Sequence, residues 1–333
     1  MISLLFLGNS YTFVNDLNLA TEALLEEGAA AWEDTATTRL AEGGYTWQDH
    51  VARVDTDPAW EEALVTGDTP WAYGILQEQS QIPGFHGESA LWDDSLTAAT
   101  QLDAWLQARG AGTVVLLTWG RKDGDETNPD LYPDFPTMQA ELTEGTLAYQ
   151  DALSTAEHPV YVAPIGPAFA VIYDDAVAAG EVPQDGLFGR LYSADGSHPS
   201  PTGTHLAACV LYATLTGDSP VGLSAPGSVD AADAAAVQAA VEAVVLSGDW
   251  SLPSSTGGGD SGGDSSAPVD SAPPQDTGPA DSAAPGDSGV ADSGAADTAA
   301  AKDPAACGCA AAPGATAGWL GLLLLALHRR RAR

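Results

Sequence analysis

The sequence predicts a three-layer α/β/α sandwich built on a five-stranded parallel sheet. Two observations carry this expectation. From residue 2 to about residue 246, short apolar runs of strand length alternate with longer segments of helical period. The first four of these runs each end in glycine or polar residues, at the carboxyl edge where open parallel sheets bind ligands.

Ile2–Leu7 is the first strand, stopped by Gly8-Asn9-Ser10. Asp16–Glu27 follows as a helix, with Leu17, Leu19, Ala20, Ala23, Leu24 and Leu25 on its apolar stripe. Thr35–Leu40 is the second strand and runs into Gly43-Gly44. Tyr45–Val54 turns helical, with Trp47 and Val51 one turn apart. Ala72–Leu76 is a short buried strand ending at Gln77-Glu78-Gln79-Ser80. Asp93–Arg109 is an amphipathic helix stopped by Gly110. Thr113–Thr118 is the strongest strand signal and ends at Trp119-Gly120. Phe135–Leu153 is a helix, Pro159–Ala163 the fifth strand and Ala168–Ala179 the next helix. A loop over Gly186–Pro201 precedes two closing helices, Thr202–Thr214 and Asp230–Leu246.

The composition divides the 333 residues into three parts. Residues 1–250 hold nearly all the aromatic side chains and form the folding unit, large enough for a substantial core. Residues 251–306 are Asp, Ser, Gly, Ala, Pro and Thr and predict a disordered, self-repelling linker. Residues 307–333 hold Cys307-Gly-Cys309, an apolar helix over Ala310–Leu327 and a terminal cluster of four arginines. That apolar length lies near the lower limit of a membrane span, and the basic end fits a cytoplasmic flank. Met1–Leu7 is too short and lacks the positive start of an export signal. We therefore expect the signal upstream of Met1, or else insertion driven by the tail alone.

The formal net charge is −35, and Arg39, Arg53, Arg109, Arg121, Lys122 and Arg190 are the only basic residues of the folding unit. Such acidity excludes nucleic acid and anionic membrane surfaces as partners of that unit. Cys209 lies in an apolar helical stretch and reads as a small buried hydrophobe. Cys307 and Cys309 have no neighbouring residues to complete a zinc site. No metal or cofactor is expected.

Ser10 sits where a strand turns into a helix, beside free backbone N–H groups. That placement suits a hydrolytic nucleophile, and equally a helix cap. A nucleophilic serine requires a base. His50 and His205 fall in helical segments, His158 in a turn, His86 in a glycine-rich loop and His328 in the tail. His198 stands in Asp195-Gly-Ser-His198-Pro, where Asp195 can set its carboxylate against one ring nitrogen and leave the other to the serine. A turn followed by a helix cap would use the same residues.

Taken together, these blocks resemble the SGNH (GDSL-like) hydrolase superfamily. Leu5–Asp16, Leu76–Ser80, Val162–Phe169 and Tyr192–His205 resemble a bacterial branch with a Gly-Asn-Ser nucleophile block, and the resemblance spans about residues 2–220. It implies Ser10 as nucleophile, His198 as general base and acid, and Asp195 as orienter. It also implies an oxyanion hole of the Ser10 and Gly44 backbone N–H groups and one side-chain amide. The superfamily's Gly-x-Asn-Asp turn is replaced here by Gln77-Glu78-Gln79-Ser80, so the amide is that of Gln79 or of Gln77. Trp119, after the fourth strand, stands where it would line the pocket or fill the core. The tail resembles the sorting tails of myxobacterial surface proteins, which implies export, processing near the Cys-Gly-Cys and display at the cell surface. The expected activity is hydrolysis of carboxylic esters, with acetylated extracellular carbohydrate as the favoured substrate. A lipase or thioesterase of the same fold, or an inactive surface-binding domain, are the alternatives.

Overall fold

A computed structural model describes residues 1–87 and 89–253. Most of the expected linker, and the whole of the expected apolar tail helix, lie outside the described residues. Among the described residues no helix is long and apolar enough to cross a membrane.

The chain runs β1 (Ile2–Gly8), α1 (Ser10–Phe13), α2 (Leu17–Gly28), β2 (Thr35–Ala41), α3 (Trp47–Arg53) and α4 (Pro58–Glu61). It continues through β3 (Trp71–Leu76), α5 (Ala90–Ala108), β4 (Gly112–Leu117), α6 (Phe135–Leu153), β5 (Val160–Pro164) and α7 (Ile165–Ala178). It closes with α8 (Leu187–Arg190), α9 (Pro201–Thr216) and α10 (Ala231–Val245). The five strands form one parallel sheet in the order β2-β1-β3-β4-β5, with helices on both faces. The α/β/α sandwich expected from the alternation of strand and helix is thus the observed architecture.

The pleat explains how the two layers separate. Leu4 and Phe6 of β1, Ile75 of β3 and Val114 and Leu116 of β4 face a core completed by α2, α7, α9 and α10. Leu5 and Leu7, Leu76 and Val115 point the other way, onto α3 and α5 and the distal half of α6. Both faces are apolar, as a sheet covered on each side requires. Of the helices, α9 is the most enclosed, with buried residues from Thr202 through Leu215.

Several boundaries depart from the sequence expectation for local reasons. Ser10–Phe13 forms a separate short helix capped by the Asn9 side chain, which accepts from the Tyr11 N–H. The chain then passes through Asn15 and Asp16, both in the left-handed region, before α2 begins. Helix α3 starts at Trp47 because Thr46 and Asp49 form a capping box. Helix α5 starts at Ala90, capped by Ser89. Helix α7 follows β5 without a loop, three residues before the expected Ala168.

The strand order β2-β1-β3 positions the site. The turn after β1 carries Ser10 and lies between the loops that leave β2 and β3. Gly44 is on one of these loops and Gln77–Gln79 on the other.

Candidate active site

The Ser10 hydroxyl is bonded to His198 Nε2 at 2.9 Å. His198 Nδ1 lies 2.6 Å from Asp195 Oδ2. With Nδ1–H donating to the carboxylate, Nε2 is the free lone pair, and the serine hydroxyl donates to it. The structure therefore brings together the three residues that sequence reasoning grouped, across almost the whole folded unit.

The Asp195 carboxylate is held from its own loop. Its Oδ1 accepts the N–H groups of Ser197 and His198, each at 2.9 Å. Gly196 adopts a left-handed φ of 67°, which turns the chain back on itself so that both N–H groups meet one oxygen. Burial pushes the Asp195 pKa up, but these two N–H groups and the imidazole outweigh it, and the net shift is downward. The carboxylate is thus ionised and ready to face an imidazolium.

The base loop is tied further to the nucleophile segment, through Tyr11 and Asn15, and to the end of β4, through Trp119. Tyr11 and Ser197 share a hydroxyl hydrogen bond of 2.7 Å. Asn15 Nδ2 donates to the Pro199 carbonyl at 3.1 Å and to the Thr204 hydroxyl at 3.0 Å. Trp119 Nε1 donates to the Ser197 carbonyl at 3.0 Å.

Trp119 does not line a pocket. It is 1 % exposed, stacked between Tyr11 at 4.6 Å and Phe169 at 5.0 Å. Tyr11 in turn meets the His198 ring edge-on at 5.6 Å. The indole is a rigid plate under the base loop, because its position at the end of β4 places it inside the α7–α9 core.

The nucleophile turn is fastened on both sides. Gln77 Oε1 accepts from the Asn9 N–H at 2.9 Å and the Thr12 hydroxyl at 2.8 Å. Its amide donates to the Glu78 carbonyl. Gln77 is therefore a buried strut beneath the turn, with its amide on the carbonyl of the next residue, Glu78. The strut also explains Gly8, where a Cβ would collide with Gln77 Oε1 and with Thr12. On the other side, Asn9 Nδ2 donates to the Tyr45 carbonyl at 2.9 Å, and His50 Nε2 is 2.9 Å from the Gly8 carbonyl.

Gln79 is only partly buried. Its Oε1 accepts the Gln81 N–H at 2.8 Å and its amide donates one hydrogen to Gln81 Oε1 at 3.1 Å, which leaves a second amide hydrogen. Gln81 is anchored by buried Asp125, which also takes Arg121, Asn128 and the Thr127 N–H. Burial works against ionisation of Asp125, yet these donors hold its pKa below the ordinary value. The backbone N–H groups of Ser10 and Gly44 are taken by no other group among the described residues. Also among the described residues, no cluster of three or more His, Cys, Asp or Glu is placed to hold a metal ion.

Sequence reasoning missed His50, Glu78 and Asn15. His50 was placed only in a helical segment, and no local signal reports that Gly8 is its partner. Glu78 was visible only as a charge inside a buried turn.

No protein-family model matches the chain, and no curated protein matches it. Among solved structures, a DUF4886 family protein from Bacteroides uniformis has a TM-score of 0.54 at 18 % identity, covering 74 % of this chain and 95 % of its own. A protein described as a candidate SGNH hydrolase from Slackia heliotrinireducens has a TM-score of 0.47 at 24 % identity, covering 65 % and 99 %. An acetylxylan esterase from Geobacillus stearothermophilus, as a serine-to-alanine mutant, has a TM-score of 0.42 at 13 % identity, covering 63 % and 90 %. These are likenesses of fold, and the chain shares its α/β/α sandwich with the Bacteroides uniformis protein.

Proposed function

We propose that the folded unit is a serine ester hydrolase acting through an acyl-enzyme on Ser10. The single observation that carries this reading is the unbroken chain from Ser10 Oγ through His198 to Asp195. In the first step His198 Nε2 takes the hydroxyl proton while Ser10 Oγ bonds to the ester carbonyl carbon. The oxyanion that forms is received by the N–H groups of Ser10 and Gly44 and by the Gln79 amide. Collapse breaks the bond to the alcohol oxygen, which takes the proton back from His198 and leaves. Water, deprotonated by His198, then attacks the acyl-enzyme; the new tetrahedral species releases the acid and returns the proton to Ser10. Asp195 keeps the imidazole in the competent tautomer and balances its charge at both stages.

The site is open. The His198 side chain is 28 % exposed and that of Asp195 is 51 % exposed. Such a rim suits a small acyl group on an alcohol larger than the site, and this supports an acylated polysaccharide as the substrate class. The tail at Cys307–Arg333 extends the proposal to display at the cell surface, with processing near the cysteines and tethering through the apolar segment; the sequence pattern supports this part.

A serine-directed phosphonate probe tests the reading. Wild type is expected to label and to hydrolyse short acyl esters and acetylated sugars, and Ser10→Ala to do neither. Equal, negligible labelling of both proteins would refute the hydrolase and leave a binding domain.

A further inference from the structure

Glu78 is 2 % exposed, and among the described residues no cation pairs with it. Its partners are neutral donors. Oε1 accepts the Trp47 N–H at 3.0 Å and the Gln79 N–H at 2.6 Å. Oε2 accepts the Ser95 hydroxyl, which itself accepts from the Tyr149 hydroxyl at 2.9 Å. An enclosed carboxyl without a counter-ion is costly, so its position calls for an explanation beyond filling space.

The two N–H groups on Oε1 come from different loops. Trp47 opens α3, three residues after Gly44. Gln79 leaves β3 on the far side of the Ser10 turn, because β1 lies between β2 and β3. One oxygen atom thus joins the two flanks of the nucleophile. Ser95 on α5 and Tyr149 on α6 fix the carboxyl from behind.

We propose that Glu78 is a positioning residue for the oxyanion hole. By holding the Trp47 and Gln79 N–H groups on one oxygen, it sets the separation between the Gly44 N–H and the Gln79 side-chain amide across Ser10. Donors placed in advance are what stabilise a developing oxyanion. The inference rests on the hydrolase reading and adds to it a residue that touches no substrate.

The test compares the full chain as wild type, Glu78→Gln, Glu78→Asp and Glu78→Ala on a short-chain p-nitrophenyl ester. Phosphonate titration counts the competent serines, and circular dichroism defines the temperature range where each variant is folded. Gln keeps an oxygen for both N–H groups and turns its amide to Ser95, so kcat should stay within about threefold of wild type. Asp keeps the carboxyl group but is one methylene too short to bridge the loops. Asp and Ala should both lose about 10- to 100-fold in kcat per competent serine, with KM within about twofold. If Ala does not fold, Asp carries the comparison. Wild-type kcat in folded Asp, or a Gln variant as slow as Asp, would overturn the proposal while leaving the hydrolase intact. A wild type silent to both ester and probe would overturn the hydrolase reading and this inference with it.

Discussion

His50 Nε2–H donates to the Gly8 carbonyl at 2.9 Å, while Trp60 Nε1–H donates to His50 Nδ1 at 3.0 Å. The pair of contacts leaves only one tautomer and no room for a second proton, since Nδ1 already faces a donor. His50 is 0 % exposed, and burial pushes its pKa down to about 4 although the Gly8 hydrogen bond pulls upward. The unfolded chain takes up a proton near the ordinary histidine value of 6.5. Between that pH and about 4 the unfolded state binds more protons, so the His50 contribution to stability is complete above 6.5 and is lost as pH falls toward 4. His50→Phe should remove this dependence. It should also cost about 2–4 kcal/mol at neutral pH, because the Gly8 carbonyl and the Trp60 N–H are left buried and unpaired. Urea unfolding at about pH 5 and about pH 8 measures both effects.

Glu78 has the opposite sign. Burial raises its pKa from 4.5 to about 7, against the pull of Ser95, Gln79 and Trp47. Between these values the folded state holds a proton that the unfolded state has lost, so stability falls as pH rises through the window. Glu78→Gln carries no such penalty. Its stability relative to wild type should improve by up to about 3 kcal/mol between pH 4.5 and pH 8, read from the same urea curves. An unchanged difference across that range would place the ionisation elsewhere.

The two glutamines should separate by phenotype. Gln79→Ala should fold normally and lose about 10²- to 10³-fold in kcat, as removal of one oxyanion donor does. Gln77→Ala leaves the Asn9 N–H and the Thr12 hydroxyl without their acceptor, and its thermal midpoint should fall by several degrees, roughly as a loss of 1–3 kcal/mol implies. Steady-state kinetics beside thermal melts distinguishes the two.

Asp195→Asn should leave the fold intact and lower kcat by about 10³- to 10⁴-fold, because an amide no longer selects the tautomer that leaves Nε2 free. Phosphonate labelling of Ser10 should slow in parallel. A variant that labels at the wild-type rate would show that the carboxylate only shapes its loop.

The strands were legible because they are short runs of strand length, the first four of them closed by glycine or polar residues, a pattern written in adjacent positions. Ser10, Asp195 and His198 were legible for a similar reason: each sits in a short block whose spacing carries chemistry. His50, Glu78 and Asn15 were not, because their partners lie far along the chain: Gly8 for His50, Trp47 for Glu78, Pro199 and Thr204 for Asn15. Trp119 was ambiguous because an indole at a strand end can face either the site or the core, and only the packing of Tyr11 and Phe169 decides. Gln77 and Gln79 look equivalent in sequence, yet the structure bonds Gln77 beneath the Asn9–Thr12 turn and turns Gln79 to Gln81.

The hydrogen bond between Ser10 and His198 spans 188 positions. A chain that emerges from its amino end therefore presents its serine early and its base very late. Until residue 198 is out, Ser10 has no proton acceptor and Asn15 has neither Pro199 nor Thr204 to grip. Contacts this distant form late and slowly. Any truncated or half-threaded product would carry an idle hydroxyl, so on the proposed reading esterase activity would appear only as synthesis or translocation of the domain nears its end.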